Sequence, residues 1–294
     1  MPCFGRRSLL AALPGLALVS APAVAATSLR LGTATPGGGF PVYGAAFVSA
    51  IKGADSTFQI EEVNTKGSTE NVPLLEEGKL DLALVQGEVA QEVFSGAGRP
   101  PTALKVVTAM YASPGMFVVR GDSRYRRIAE LKGQPIAWGA RGSGLVILGR
   151  TVVDGIGLDP EKDFHSVYLD RAGDGPAMVL DGQVAALWGG GVRWPGFVAV
   201  SNSPAGARFL VPDAAEIDRI VAKHGFLRRL TVPAGMYRSQ TEPLPTVGSW
   251  SFVLARPGLP DNVGYRLATA LSKVERLGLQ SKQLSETTAK NTLA

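Results

Sequence analysis

The chain has 294 residues, 45% of them hydrophobic and 19% charged, with a formal net charge of +5. That balance describes one large or two medium globular domains with ample core, and it excludes a disordered or fibrous chain. The basic residues are scattered, and the densest runs, Arg124-Tyr125-Arg126-Arg127 and Arg228-Arg229, are short, so nucleic acid is not an expected partner.

Residues 1–26 read as a signal peptide. Arg6 and Arg7 form a positive start, Leu9 to Val19 an apolar core, and Ala23-Val24-Ala25 a small-x-small site, placing cleavage near Ala25-Ala26. A spanning helix needs about 20 apolar residues, and Pro14 and Gly15 interrupt this run. Arg6-Arg7-Ser8-Leu9-Leu10 loosely resembles a twin-arginine signal, and the general secretory route stays open. The only cysteine, Cys3, lies ahead of the apolar core and leaves with it, so neither a disulfide nor a lipid anchor is expected. No later segment is apolar enough to cross a bilayer. The expected product is an unanchored periplasmic protein.

Beyond the leader, short β-type runs alternate with helical ones, the pattern of an α/β fold with mainly parallel sheets. Leu29 to Leu31 leads into the stretch Gly32-Thr33-Ala34-Thr35-Pro36-Gly37-Gly38-Gly39-Phe40-Pro41, after which Val42 to Lys52 reads as helix. Strand, glycine-rich turn, helix start: this order gathers free backbone N–H groups at the positive end of a helix dipole. Neither GxxxxGK[ST] nor GxGxxG spacing is present, so a nucleotide site gets little support. Strands follow at Gln59 to Val63 and Leu82 to Val85, with a helix near Val72 to Glu77 between them. Pro73 argues for a start around Asn71 rather than Ser68.

Leu104 to Arg120 is extended, with Ser113-Pro114-Gly115 marking a crossing between lobes. Strands Ile136 to Trp138, Ser166 to Leu169 and Ala185 to Trp188 then repeat the earlier order. Gly139 to Gly144 opens a helix over Leu145 to Asp154, and Gly173 to Asp181 carries another. Glu77-Gly78-Lys79-Leu80-Asp81-Leu82-Ala83-Leu84 lies over Asp181-Gly182-Gln183-Val184-Ala185-Ala186-Leu187-Trp188, and the same offset brings Gly38-Gly39-Phe40 onto Gly142-Ser143-Gly144. Two similar lobes facing each other would produce this repetition. After Pro195 the pattern reads as a polar loop, then a strand at Phe209 to Val211 and a helix from Ala214 to His224 capped by Asp213. Thr231 to Thr246 is an extended excursion and Val247 to Ala255 a returning strand. Asp261 caps a last helix with Val263, Leu267, Ala270, Val274 and Leu277 on one face, and Ser281 to Ala294 is weakly patterned.

The ordered set Leu31-Gly32-Thr33, Gly37-Gly38-Gly39, Tyr43, Gly67-Ser68-Thr69-Glu70-Asn71, Leu75 to Gln86, Leu131-Lys132-Gly133, Gly142-Ser143-Gly144, Val232 to Tyr237 and Pro245-Thr246-Val247-Gly248 resembles the TAXI-type solute-binding proteins of TRAP transporters. The resemblance implies a two-lobed periplasmic binding fold of type II, each lobe a mainly parallel sheet flanked by helices, with the ligand in the cleft between lobes. On this reading lobe 1 is residues 27–114 and 248–294, and lobe 2 is 115–247. It implies a receptor that closes on a small organic acid or amino acid, usually carboxylate-bearing, and delivers it to a TRAP-type membrane permease. This chain departs from the family at Arg141, at Leu145-Val146 and in the loop Trp188 to Pro195, which carries two tryptophans and Arg193.

Ligands of doubly wound sheets sit beyond the carboxyl ends of the strands. That rule nominates Gly38, Gly39, Phe40, Tyr43, Ser68, Asn71 and Gln86 in the first lobe, and Gly139, Arg141, Ser143, Gly144 and Trp188 in the second, with Arg193 and Trp194 ranked lower. Backbone N–H groups and serine hydroxyls would hold a carboxylate, an arginine would add a bidentate contact, and Tyr43 and the tryptophans would wall the pocket. Each also has a plainer role: Ser68 and Asn71 as helix caps, the tryptophans as core. A periplasmic sensor subunit would use the same fold. An exported enzyme has less support, because only His165 and His224 are available and neither GxSxG nor HExxH occurs. No cofactor or metal is expected.

Overall fold

A computed structural model describes residues 26–238, 240–279 and 281–293. The signal peptide expected over residues 1–26 lies, but for Ala26, outside the described residues. Among the described residues, no helix is long and apolar enough to cross a membrane.

The first lobe starts with β1 (Thr27–Gly32), α1 (Gly39–Ala54), β2 (Phe58–Val63), α2 (Ser68–Glu76), β3 (Leu82–Gln86) and α3 (Gly87–Ser95). β1 pairs in parallel with both β2 and β3. β3 is buried along its whole length, as a parallel strand covered on both faces must be. The second lobe repeats the scheme with β5 (Pro135–Ala140), α4 (Gly144–Gly155), β6 (His165–Leu169), α5 (Gly175–Leu180), β7 (Ala186–Gly190) and α6 (Pro195–Asn202), with β5 parallel to β6 and β7. β8 (Ala207–Leu210), α7 (Ala214–Lys223) and β9 (Arg228–Val232) follow.

Two long strands belong to both halves. β4 (Lys105–Arg120) pairs antiparallel with β10 (Leu244–Ala255) as far as Pro114, then with β7 from Gly115 and β8 from Phe117. β10 pairs with β9 up to Gly248 and with β4 and β3 beyond it. The expected break at Ser113-Pro114-Gly115 is therefore a change of partner within one continuous strand. Pro114 removes a ladder donor where β10 leaves and β7 takes over, a point at which the loss is tolerated.

Each sheet carries helices on both faces. In the first lobe Leu31, Phe47, Ile51, Leu84 and Leu267 pack on one side, and Leu75, Leu80, Val85 and Val93 on the other. In the second, Phe117, Trp138, Leu148, Val152, Trp188 and Ile220 oppose Met116, Val118, Val179, Leu187 and Phe197. α7 carries the expected Asp213 cap, completed by Glu216 into a reciprocal capping box.

Several local expectations fail for physical reasons. α2 begins at Ser68 with Pro73 inside it, because Gly67 at φ +114° takes the cap position and its carbonyl accepts from Glu70 and Asn71. The segment after Pro195 is helix α6, since proline suits a first helical turn. α8 (Asp261–Arg276) is preceded by Pro260, so Asp261 is its first residue rather than its cap, and Leu277 lies past its end, 58% exposed. The weakly patterned tail, with α9 (Ala289–Leu293), clasps the outer edge of β4. Thr292 Oγ1 accepts from Ala109 N (3.1 Å), Glu286 accepts from Ala112 N (2.9 Å), and the Thr287 hydroxyl donates to Met110 O (3.0 Å). Polar side chains thus cover a strand edge that would otherwise be open to pairing.

Candidate functional site

α1 and α4 each follow a glycine-bearing turn at the carboxyl end of a strand, and their starts face one hollow. Its walls include Gly38, Gly39 and Phe40 from the start of α1, Ser68 and Gln86, and Gly139, Ser143, Gly144 and Trp188 across the cleft. Nine of the twelve nominated residues therefore meet in one place. With its open mouth the hollow measures about 600 Å³. In this arrangement it is a slot for a small solute.

The two lobes are shut on each other. Thr69 Oγ1 donates to Gly142 O (2.9 Å) on one side, and Ala172 N donates to Thr35 Oγ1 (3.2 Å) on the other. Glycines permit the approach. A Cβ on Gly144 would stand 2.3 Å from Gln86 Cβ, and one on Gly37, at φ +84°, would stand 2.4 Å from Gly173 Cα. Neither position has room for a side chain without parting the lobes.

The starts differ in what they leave unbonded. At α4, Ser143 caps the helix by accepting from Leu145 N (3.2 Å). At α1 the cap is Gly38, with no side-chain bond, so the first N–H groups have no capping side chain among the described residues. Beside Gly39 lies Trp194, 5% exposed, whose Nε1 has no hydrogen-bond partner among the described residues. Leaving such a donor unmet costs about 1–3 kcal/mol. Tyr111 shares this spot: its hydroxyl is 3.2 Å from where a Cβ on Gly39 would sit, and burial pushes its pKa up, so it remains a donor.

Three nominated residues sit elsewhere. Tyr43 is buried behind α1, its hydroxyl bonded to Thr287 (2.9 Å), and it faces a second hollow with Tyr111 and Arg193. Asn71 ties α2 to the sheet by donating to Thr33 O (2.9 Å) and Leu84 O (2.8 Å). Arg141 stacks over Tyr168 at 5.0 Å. Among the described residues, no Lys, Arg, Asp, Glu or His side chain lines the first hollow. Trp188 does line it, but its indole N–H is spent on Leu145 O (2.7 Å), the reverse of the ranking its strand-end position suggested for the two tryptophans.

Tyr111, Ser113, Thr35 and Ala172 also line the hollow without having been nominated. Thr35 stands within the glycine stretch that drew attention first. Tyr111 and Ser113 belong to β4, where only the pairing register reveals which side chains face the cleft.

Gln86 organises the floor. Its backbone N–H donates to Ser68 Oγ (3.0 Å), its Nε2 to Ser249 Oγ (3.3 Å), and its Oε1 accepts from Ser251 (3.1 Å). Next to it Glu88, 5% exposed, has neither carboxylate oxygen in hydrogen-bond geometry with a described residue. Burial lifts its carboxyl to about 7, with Ser249, its own backbone and Gln86 pulling weakly the other way.

Solved structures share this architecture at low identity. The structure of a periplasmic transporter aligns at TM-score 0.57 and 14% identity, covering 90% of this chain and 87% of its own. The alkanesulfonate-binding protein SsuA from Xanthomonas axonopodis pv. citri, bound to MOPS, aligns at 0.53 and 20%, covering 90% and 80%. An ancestral arginine-binding protein bound to arginine aligns at 0.54 and 15%, covering 89% and 98%. These likenesses show the fold, that of the periplasmic binding proteins. The NMT1-like family profile matches residues 31–294 of the 294, and the chain belongs to the NMT1-like family.

Proposed function

We propose that the protein is a periplasmic solute receptor of the TAXI type, which closes on a small carboxylate-bearing solute and presents it to a TRAP-type permease. The observation that carries the solute-binding reading is the shared hollow between the starts of α1 and α4. Two helix N-termini aimed at one slot favour an anion. With no charged side chain in the walls, the anion is held by backbone and neutral donors. Closure turns about two crossings: Pro114 to Gly115 in β4, and Val247 to Gly248 in β10. There a Cβ on Gly248 would stand 2.1 Å from Ser113 O, so the strands touch at the pivot. Residues 27–114 with 248–294 then move against 115–247.

An enzyme reading lacks a place for chemistry. His165 is exposed at the foot of β6, and His224 is engaged with Asp154 (2.7 Å), away from the cleft walls. The reading is tested by calorimetry of the purified protein against organic acids and amino acids of three to six carbons. Micromolar binding, about 8 kcal/mol, is expected for at least one carboxylate. Folded protein that binds none would contradict it. Pull-down of a many-spanning membrane partner only when a bound solute is present tests the permease.

A further inference from the structure

We propose that Trp194 and Tyr111 make the cleft selective for organic acids bearing a second, uncharged oxygen next to the carboxylate (2-oxo and 2-hydroxy acids), and against their 2-amino counterparts. The inference rests on the receptor reading and adds the ligand class.

Three observations lead to it. The Trp194 indole N–H is buried yet has no acceptor among the described residues, unlike those of Trp138, which donates to Ser166 Oγ (2.9 Å), and Trp188, which donates to Leu145 O (2.7 Å). Its place is fixed by the fold: the indole lies over Gly189 and Gly196, and the ring edge bearing the N–H comes against Gly39 at the start of α1, with Cδ1 3.3 Å and Nε1 3.9 Å from where a Cβ there would stand. The Tyr111 hydroxyl reaches the same point from β4, 3.2 Å from that position. Two neutral donors therefore stand beside Gly39, the residue that opens α1, where a carboxylate would be seated.

The Trp194 N–H demands an acceptor, and the Tyr111 hydroxyl is placed to donate to the same group. A keto or hydroxyl oxygen on the carbon beside the carboxylate supplies one. An ammonium on that carbon supplies none, and would lie between two positive helix ends with no Asp or Glu side chain in the walls to offset it. A ligand of this class satisfies a donor that the protein leaves unmet, and its unsubstituted and 2-amino analogues leave it so. Discrimination of this kind, against a partner that lacks one hydrogen-bonding group, is the strongest that a small pocket can build.

The test is calorimetry with matched sets of three to six carbons: the plain fatty acid, its 2-oxo, 2-hydroxy and 2-amino derivatives. The 2-oxo or 2-hydroxy member of one set is expected to bind at least tenfold more tightly than the plain acid, with the 2-amino member weakest. In Trp194→Phe the oxo-to-plain ratio is expected to fall to about one, and in Tyr111→Phe to fall partway. Because Trp194 also packs on Phe197, the wild-type protein provides a second readout. Of its indole ¹⁵N–¹H signals, that of Trp194 moves on saturation with the best oxo acid, while those of Trp138 and Trp188 hold still. Equal binding of plain and oxo acids, tighter binding of amino acids, or an unmoved Trp194 signal would overturn the selectivity while leaving a receptor. Binding of no acid in any set would overturn the receptor reading itself.

Discussion

Two helix starts face the same slot and treat their backbone donors differently. α4 brings its own cap, Ser143, and a glycine, Gly144, that lets it press against Gln86 of the other lobe. α1 brings a glycine cap with no side-chain oxygen, and around it gather the unmet Trp194 N–H and the Tyr111 hydroxyl. The difference assigns the work: α1 is the seat and α4 the closing face. A third start in the same neighbourhood, that of α3, carries the buried Glu88 in its first turn, where burial favours the protonated carboxyl.

Blocking the closing face should have the largest effect. Gly144→Val places a side chain where even a Cβ would be 2.3 Å from Gln86, so the lobes cannot shut. Affinity for the best acid should fall about a thousandfold, roughly 4 kcal/mol, with folding retained by circular dichroism. A loss below tenfold would show that α4 does not seal the site.

The α3 start comes next. Because Glu88 in the folded protein titrates near 7, above its ordinary value of 4.5, the native state holds this proton more tightly than the unfolded chain does. Its contribution is best below about pH 4.5, declines as pH rises toward 7, and is flat above that. The span is about 3 kcal/mol. Glu88→Gln should remove this slope and raise stability at pH 8 by about that amount in urea unfolding. A variant less stable than wild type at pH 8 would mean the carboxylate is charged and held.

Smaller effects separate cap from seat. Ser143→Ala loses a helix cap, about 1 kcal/mol of stability, while changing affinity no more than threefold. A hundredfold loss would move the seat to α4. Thr69→Val removes the hydroxyl latch to Gly142 O and should weaken binding two- to fivefold, about 0.5–1 kcal/mol, by shifting the protein toward the open form. Small-angle scattering of the unliganded variant should show the larger radius of gyration.

Much of this was legible in the chain. Strands rich in β-branched and leucine side chains, ended by glycine turns, marked the two lobes, and the rule of strand carboxyl ends brought nine nominated residues to one hollow. What stayed hidden depended on neighbours remote in sequence. Asn71 and Tyr43 face away because their partners, Leu84 O and Thr287, lie behind the helices. Arg141 finds the Tyr168 ring, on a strand beside its own. Trp188 and Trp194 are alike as letters, and only the Leu145 carbonyl, which takes the first indole N–H and leaves the second, tells them apart. α6 was missed because a proline that opens a helix and one that ends it read the same without the residues that pack beneath, here Phe197 and Val200.

The most direct measurement is a crystal structure of the purified, folded protein soaked with the acid that calorimetry ranks tightest. A carboxylate within 3.2 Å of the N–H groups opening α1, with α4 closed over it, is the predicted result. Density for that acid in the hollow beside Arg193, or on any surface away from Gly39 and Gly144, would contradict it.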